Sequence, residues 1–432
     1  MQHFDQRFLP LTSPNPRVGC AIASQNGLLI AQGYTQRAGG SHAEVMALRD
    51  AAAKGVSVKG ATAYVTLEPC SHYGRTPPCC DALIKAGIAK VVVAILDPNP
   101  LVAGQGVARL RAAGIEVQVL PTDSAEALAC RELNIGFFSR MLRKTPWLRL
   151  KIAASLDGQT ALANGQSQWI TGEAARTDGH AYRARACAVL TGIGTVLADD
   201  PVLNVRLVNT LRQPHVVVVD SQLEIPLNAK LLTARVPHYL EDSAVHAVAP
   251  QHAVSEPDSY RADALPDAPK TPDTPNPADT SNTTDLIANY DHSTLTLRKI
   301  LIYCTKQDPA KHAALEQLGA TVIHMPETLP NGDKQVNGKV DLAAMLRDLA
   351  AREINELHVE AGHKLNGSLM RAGLVDEFLI YQAPTLLGAG LGMGNLGPFE
   401  SLSQALALRY HDVQRVGEDL RLVLRAPGRE NF

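Results

Sequence analysis

Gly40-Ser41-His42-Ala43-Glu44, then Leu67-Glu68-Pro69-Cys70, then Pro77-Pro78-Cys79-Cys80 are the segments around which the N-terminal part of this chain is organised. One imidazole and two thiolates make a complete protein ligand set for a catalytic zinc, with the fourth position left open. Glu44, two residues after the histidine, is placed to carry a proton for water activated at such an ion.

The spacing has a physical reading. Val45, Met46 and Leu48 begin an apolar face just after His42, so His42 and Glu44 open a helix. Residues two apart on a helix diverge by about 200°. They cannot share an ion beside the helix, but at its N-terminus both reach an ion lying beyond the end. Cys79 follows two prolines suited to a helix start and precedes Asp81-Ala82-Leu83-Ile84-Lys85-Ala86. A second helix N-terminus there favours thiolate over thiol. His-x-Glu followed by Pro-Cys and a further Cys is the pattern of zinc nucleobase deaminases. Eight residues separate Cys70 from Cys79 here. Two points stay open: Cys80 rivals Cys79 as ligand, and a fourth donor from Cys80 or His72 would make a structural zinc knuckle. A structural site would have no use for Glu44.

At 432 residues the chain has the length of two or three domains. Its composition, 45% hydrophobic with a net charge of −2, lacks the basic surface that binds nucleic acid and argues against a polymeric substrate. The seven cysteines show no disulfide framework and suit a reducing cytoplasm. Cys20, Cys130, Cys187 and Cys304 are expected as small buried hydrophobes. Residues 1–9 lack the basic-then-apolar pattern of a signal peptide, and apolar runs such as 91–96 are too short to cross a bilayer. The expected location is therefore cytoplasmic, with no membrane partner.

Taken in order, residues 18–24 and 28–34 read as strands joined by Gln25-Asn26-Gly27, followed by the His42 helix. Strands at 61–66, 90–96 and 116–120 alternate with helices from Cys79 to Gly87 and over 107–113, which predicts a three-layer α/β/α sandwich. One further helix over 124–141 leads to a boundary at Arg143-Lys144-Thr145-Pro146. This divides the chain into domains 1–143 and 146–432. Strands in the second domain are expected at 147–153, 186–190, 216–220, 299–303, 356–360 and 377–381, apolar enough for a sheet covered on both faces. Residues 241–292 are proline-rich, acidic and poor in large apolar side chains, and are expected to be a disordered insertion. Two glycine-bearing turns after strands, at Thr191–Thr195 and after Val359-Glu360-Ala361-Gly362, are candidate seats for a nucleotide phosphate. Arg183 and Arg206 could hold an anionic substrate group, and Trp169 could stack on a ring.

Several longer segments resemble the RibD family of bifunctional riboflavin biosynthesis proteins. In the first half these are Pro14-Asn15-Pro16-Arg17-Val18-Gly19, the His42 and Cys70-to-Cys79 motifs, and Asp97-Pro98-Asn99-Pro100. In the second half they are Lys151-Ile152-Ala153-Ala154-Ser155-Leu156-Asp157-Gly158, Ser167-Gln168-Trp169-Ile170-Thr171, Thr195-Val196-Leu197-Ala198-Asp199-Asp200-Pro201 and Val359-Glu360-Ala361-Gly362. The resemblance implies a cytidine-deaminase-like N-terminal domain and a dihydrofolate-reductase-like C-terminal α/β domain. It implies deamination of 2,5-diamino-6-ribosylamino-4(3H)-pyrimidinone 5′-phosphate, then NADPH-dependent reduction of the ribosyl chain of the product to ribityl. By the same resemblance, His42, Cys70 and Cys79 are zinc ligands and Glu44 the proton donor. NADPH falls to Ala153, Trp169, Thr195, Asp199, Ser221 and the turn formed by Gly362, His363, Lys364, Leu365, Asn366, Gly367 and Ser368. The pyrimidine ribotide falls to Ser167, Arg183, Leu203, Arg206 and Glu360. No side chain is an obvious acid for the reduction, which can rest on positioning of cofactor and substrate; Lys151 and Asp199 are the candidates, and a homo-oligomer is compatible with the pattern.

This chain departs from the family in having an irregular proline-bearing stretch where an amphipathic helix precedes Pro14, so the expectation is either a truncated or mis-assigned start or a sandwich lacking one covering layer. Two other functional readings compete. One is a zinc deaminase of nucleosides or bases with a non-catalytic C-terminal half. The other is a zinc-stabilised interaction protein acting through the insertion.

Overall fold

The computed structural model describes residues 9–73, 77–100, 102–239, 297–327 and 338–432. The insertion expected at 241–292 and most of the stretch before Pro14 lie outside the described residues. Strands β1 (Gly19–Ala23), β2 (Leu29–Tyr34), β3 (Thr62–Val65), β4 (Lys90–Val93) and β5 (Glu116–Val119) form one sheet in the order β2-β1-β3-β4-β5. β1 is antiparallel to both neighbours, and β3, β4 and β5 are parallel. Because side chains alternate along a strand, Ile22, Ala63, Val65, Val91 and Val93 share one face. They form a core there with α1 (Ala43–Ala53), α2 (Cys79–Ala86) and α3 (Gln105–Ala112). On the other face Tyr64 is 43% exposed, so among the described residues that face is only partly covered.

Residues 124–141, expected as one helix, form two: α4 (Ala125–Leu133) and α5 (Ile135–Arg143). The run breaks at Asn134, whose side chain is engaged by the backbone of Arg17. It accepts the Arg17 N–H at 2.7 Å and donates to the Arg17 carbonyl at 2.9 Å. Local helix propensity yields here to a contact 117 residues away.

The C-terminal half continues with β6 (Trp147–Ala154), β7 (Gln159–Leu162), α6 (Glu173–Arg185), β8 (Ala188–Gly192), α7 (Ile193–Asp199), β9 (His215–Val219) and α8 (Lys230–Thr233). After the insertion come β10 (Ile300–Cys304), α9 (Pro309–Gln317), β11 (Ala320–His324), α10 (Leu342–Ala351), β12 (Glu356–Val359) and α11 (His363–Arg371). The chain closes with β13 (Glu377–Gln382), β14 (Gly390–Gly392), β15 (Arg409–Val416) and β16 (Asp419–Arg425). Nine of these strands make one sheet in the order β11-β10-β9-β8-β12-β6-β13-β16-β15, while β7 and β14 form a separate ribbon. The first seven are parallel, and β16 and β15 add an antiparallel edge. Both faces of the central strands are buried, one against α10 and α11 and the other largely against α9 and the segment around Leu223–Leu232. The sequence reading missed β11 and the β15–β16 hairpin. β15 is a mostly exposed edge whose residues alternate too weakly to announce a strand.

β12 reads Glu356-Leu357-His358-Val359 and runs on into Glu360. Leu357 and Val359 face the α10–α11 core, so Glu356, His358 and Glu360 face the other way, beneath α6. Glu356 is buried and serves three cations. Arg17 lies 2.6 Å from its Oε1, and Arg185 and Arg149 lie 2.8 and 3.3 Å from its Oε2. Arg149 also pairs with Glu377, and Glu377 pairs with Arg425. Arg425 in turn reaches Glu132 of α4 at 2.6 Å. α5 comes this close because residue 136 is glycine: a Cβ there would sit 2.5 Å from Glu356 Cγ. The two halves are thus joined by a buried network of alternating charge. Burial alone would raise the Glu356 carboxyl, but Arg185, Arg17 and Arg149 overcome it and hold the group well below the carboxylate range.

Removing one partner of a buried ion pair costs about 3–5 kcal/mol. Glu356→Gln should lower the urea midpoint accordingly, measured by circular dichroism at pH 7. Since the folded-state pKa is depressed, this stabilisation is complete above the unfolded value of about 4.3 and is lost as pH falls toward the folded one. The gap between wild type and variant should therefore narrow only below about pH 4.3.

Candidate active sites

His42 is the N-cap of α1 and Glu44 lies in its first turn, as the apolar spacing implied. Cys79 begins α2 behind Pro78, and Gly87 in the left-handed conformation ends that helix. Cys70 follows β3 in the loop that meets α2, where its Sγ accepts the Cys79 N–H at 3.3 Å. Both helix N-termini therefore point at one spot. His42 Nδ1 lies 3.5 Å from Cys70 Sγ and 3.3 Å from Cys79 Sγ. One ligand atom from each of the three residues lies within 4.8 Å of the other two.

This geometry fits zinc. An ion at ordinary Zn–N and Zn–S lengths and tetrahedral angles sets nitrogen and sulfur about 3.6 Å apart. Cys80 turns away, its Sγ 3.4 Å from the Pro69 carbonyl and 3.6 Å from that of Gly106. The choice between neighbouring cysteines, open in the sequence, thus falls to Cys79. Among the described residues this is the only group of three or more His, Cys, Asp or Glu placed to hold an ion, and no fourth donor joins it.

Electrostatics suit the same reading. Hydrogen bonding with Cys79 and with His42 draws Cys70 down to about 4. The neighbouring Cys70, burial and Glu44 push Cys79 up, so the pair readily holds one thiolate. Glu44 is 3% exposed, and burial raises its carboxyl, which favours a group that takes up and releases a proton. His42, Glu44 and Cys70 line a cavity of about 340 Å³, together with residues that include Asn15, Glu68, Asp97, Phe137, Arg140 and Glu353. Glu68 Oε2 accepts the N–H of Gly104 at 2.8 Å and its Oε1 that of Val107 at 3.0 Å, so the motif glutamate folds the wall rather than facing the ion. Burial pushes Asp97 up to about 7. Arg140 and Glu353 were not foreseen. Arg140 lies in an amphipathic helix and Glu353 before β12, far in sequence from any zinc motif.

In the C-terminal half, the expected residues gather at the C-terminal ends of four adjacent parallel strands, β9, β8, β12 and β6. Ser221 follows β9, and its carbonyl accepts the N–H groups of Thr305 and Lys306 at 3.0 and 3.1 Å. Thr195 and Asp199 lie on α7 after β8, Glu360 to Ser368 follow β12, and Ala153 is near the end of β6. The segment Gly362–Ser368 forms the cap and first two turns of α11, the helix that the sequence places after Gly362 and running toward Met370. Asn366 and Gly367 are committed to packing. Asn366 donates to the Met393 carbonyl at 3.1 Å, and a Cβ on Gly367 would strike the Asn395 backbone.

The rest is open. Gly192 and Gly362 cap α7 and α11 without any side-chain hydrogen bond. No atom lies within 4 Å of where a Cβ on Gly194 or Gly362 would stand. Uncapped helix N–H groups beside bare glycines at neighbouring strand ends fit the phosphates of a dinucleotide.

Beside this cleft, Arg183 Nε and Nη2 each lie 2.7 Å from a Glu360 oxygen, and Nη1 donates to the Asn204 carbonyl at 2.6 Å. Burial would raise Glu360, but Arg183 and His358 hold it well below the usual range. Arg183 thus has internal partners, whereas Arg206 is exposed and reaches this cluster through its N–H to His180 Nδ1 at 3.2 Å. Leu203 is buried with a left-handed backbone at φ 57°. Its carbonyl accepts Arg298 Nη1 at 2.9 Å. Ser167 and Trp169 lie on an exposed segment, Trp169 at 67% with the Arg176 guanidinium 4.6 Å over its ring. Gln168 Nε2 lies 3.5 Å from Asp199 Oδ1, which brings that segment to α7. Burial lowers the Lys151 ammonium, with Glu360 opposing.

Residues 146–255 and 267–422 match the profile of the RibD C-terminal domain, and residues 5–95 that of the cytidine and deoxycytidylate deaminase zinc-binding region. Riboflavin biosynthesis protein RibD of Escherichia coli is 39% identical over 427 residues, spanning 96% of this chain and 94% of that protein. The RibD of Aquifex aeolicus is 37% identical, spanning 95% and 92%. Among solved structures, Acinetobacter baumannii RibD is 36% identical with a TM-score of 0.72, covering 97% of this chain and 95% of that one. A diaminohydroxyphosphoribosylaminopyrimidine deaminase/5-amino-6-(5-phosphoribosylamino)uracil reductase from Thermotoga maritima is 26% identical with a TM-score of 0.70, covering 98% and 95%. Matched along nearly its whole length by such relatives and carrying both site geometries, the chain belongs to the RibD family.

Proposed function

We propose that this protein carries out two successive steps of riboflavin biosynthesis on one pyrimidine ribotide. The first is hydrolytic deamination of 2,5-diamino-6-ribosylamino-4(3H)-pyrimidinone 5′-phosphate at residues 1–143. The second is NADPH-dependent reduction of the ribosyl group of 5-amino-6-(5-phosphoribosylamino)uracil to ribityl at residues 146–432. The observation that carries the first step is the convergence of His42, Cys70 and Cys79 with a buried glutamate at the same helix end.

Zinc in such a ligand set makes water nucleophilic near neutral pH. The chain's own contribution is to hold His42 and Cys79 at two helix starts and Cys70 in the loop between β3 and α2, where the pair readily holds a thiolate. Glu44, raised by burial, takes a proton from the attacking water and delivers it to the leaving amino group, which departs as ammonia. In the second site NADPH supplies hydride. The starts of α7 and α11 would hold its phosphates, Ser221, Ala153 and Trp169 would border it, and the Arg183–Glu360 pair with Leu203, Arg206 and Ser167 would orient the ribotide. Lys151 and Asp199 are the candidate proton donors. Orientation of two bound reactants is itself a large source of rate.

A nucleoside deaminase with a non-catalytic C-terminal half is disfavoured, because that half matches the RibD C-terminal domain and has an open cleft. Among the described residues no helix is long and apolar enough to cross a membrane. We place the protein in the cytoplasm, acting on small molecules.

Glu44→Gln should retain one zinc per chain by elemental analysis while ammonia release falls by about a hundredfold or more. Loss of zinc in that variant, or unchanged ammonia release, contradicts the assignment. Cys79→Ser should lose the metal and Cys80→Ser should keep it. On the other side, Arg183→Ala leaves Glu360 buried without its partner. NADPH oxidation with the deaminated product should then fall by about tenfold or more in kcat/KM, while ammonia release is unchanged.

A further inference from the structure

The cavity beside His42 is not built by the N-terminal half alone. Pro14, Asn15 and Glu44 share it with Phe137 and Arg140 of α5 and with Glu353, which precedes β12. Arg140 is held from two sides of the seam. Its Nε donates to Asn355 Oδ1 at 2.5 Å and its Nη2 to the Pro14 carbonyl at 3.0 Å. Asn355 Nδ2 donates to the same carbonyl at 3.1 Å. One amide of the C-terminal half thereby positions both the cavity arginine and the loop that opens the cavity wall.

Three observations set Arg140 apart. It is the only arginine or lysine among the described lining residues, on a wall that otherwise offers Glu44, Glu68, Asp97 and Glu353. Its partners are neutral carbonyl oxygens, and among the described residues no carboxylate pairs with it within 4.0 Å. The other seam arginines that reach this interface, Arg17, Arg149, Arg185 and Arg425, all have carboxylates. A partly buried guanidinium whose hydrogen bonds all go to neutral oxygens, with Glu353 acting on it across the cavity but not paired with it, is a seat for an anion that arrives with the ligand. Its planar fork matches phosphate oxygens.

We infer that Arg140 receives the 5′-phosphate of the ribotide during deamination, making it a specificity-determining residue held in place by Asn355. This rests on the deaminase reading above and extends it: discrimination for a phosphorylated substrate in the first reaction is built at the seam with the second domain. The phosphate monoester supplies the paired anion that no carboxylate of the cavity provides, and a riboside lacking it gains nothing from the arginine.

The test compares ammonia release from the ribotide and from its dephosphorylated riboside, using full-length zinc-loaded protein. Arg140→Ala should raise KM for the ribotide about tenfold to a hundredfold, the worth of hydrogen bonds to a charged group, with a smaller change in kcat. KM for the riboside should not move. Arg140→Lys should recover part of the loss, and Asn355→Ala should shift the ribotide KM in the same direction by less. Zinc content and NADPH oxidation with the deaminated product report on folding. If Arg140→Ala loses zinc, Arg140→Gln replaces it. Equal shifts for both substrates, or no shift for the ribotide, overturn the inference. A wild-type protein that releases ammonia from neither compound overturns the deaminase reading instead.

Discussion

A single buried carboxylate, Glu356, stands between three arginines drawn from three parts of the chain. Desolvating these charges is expensive, so the arrangement persists only because each has an oppositely charged neighbour in good geometry. Its reach is long because β12 alternates. Glu356 at the start of the strand fixes Arg17, and through it the Pro14–Pro16 wall of the zinc-site cavity. Four residues further along the same face, Glu360 fixes Arg183 at the edge of the dinucleotide cleft. Both candidate sites are referenced to one edge-on row of side chains.

The zinc site shows how little backbone is required to place a ligand set. Two helices start at the same spot, one with a histidine cap and one with a cysteine in its first turn. The loop after β3 adds the third donor and is stiffened by Glu68, whose oxygens collect backbone N–H groups from the segment entering α3. The second site uses the same device with different residues. Glycines, rather than metal ligands, begin the helices, and their uncapped N–H groups suit a phosphate rather than a metal ion.

Much of this was legible beforehand where chemistry and local spacing agree. His42, Glu44 and Cys79 announced helix starts because apolar residues follow each at helical intervals, and all three lie where that reading put them. The illegible parts are those set by distant partners. Asn134 interrupts a helical pattern because the Arg17 backbone claims its amide. Arg140 carries no motif, and only the folded seam turns it toward the cavity. Cys79 and Cys80 could not be separated by spacing; the direction of the helix decides between them.

The shared strand has an evolutionary corollary. Splitting the chain between α5 and β6 would part Arg17 from Glu356 and Arg425 from Glu132, while Glu356 keeps Arg149 and Arg185 and Arg425 keeps Glu377. A single-residue insertion within β12 would put Glu356 and Glu360 on opposite faces of the sheet. Gene fission or independent drift of either half would thus carry an electrostatic cost at a place remote from both candidate reaction centres.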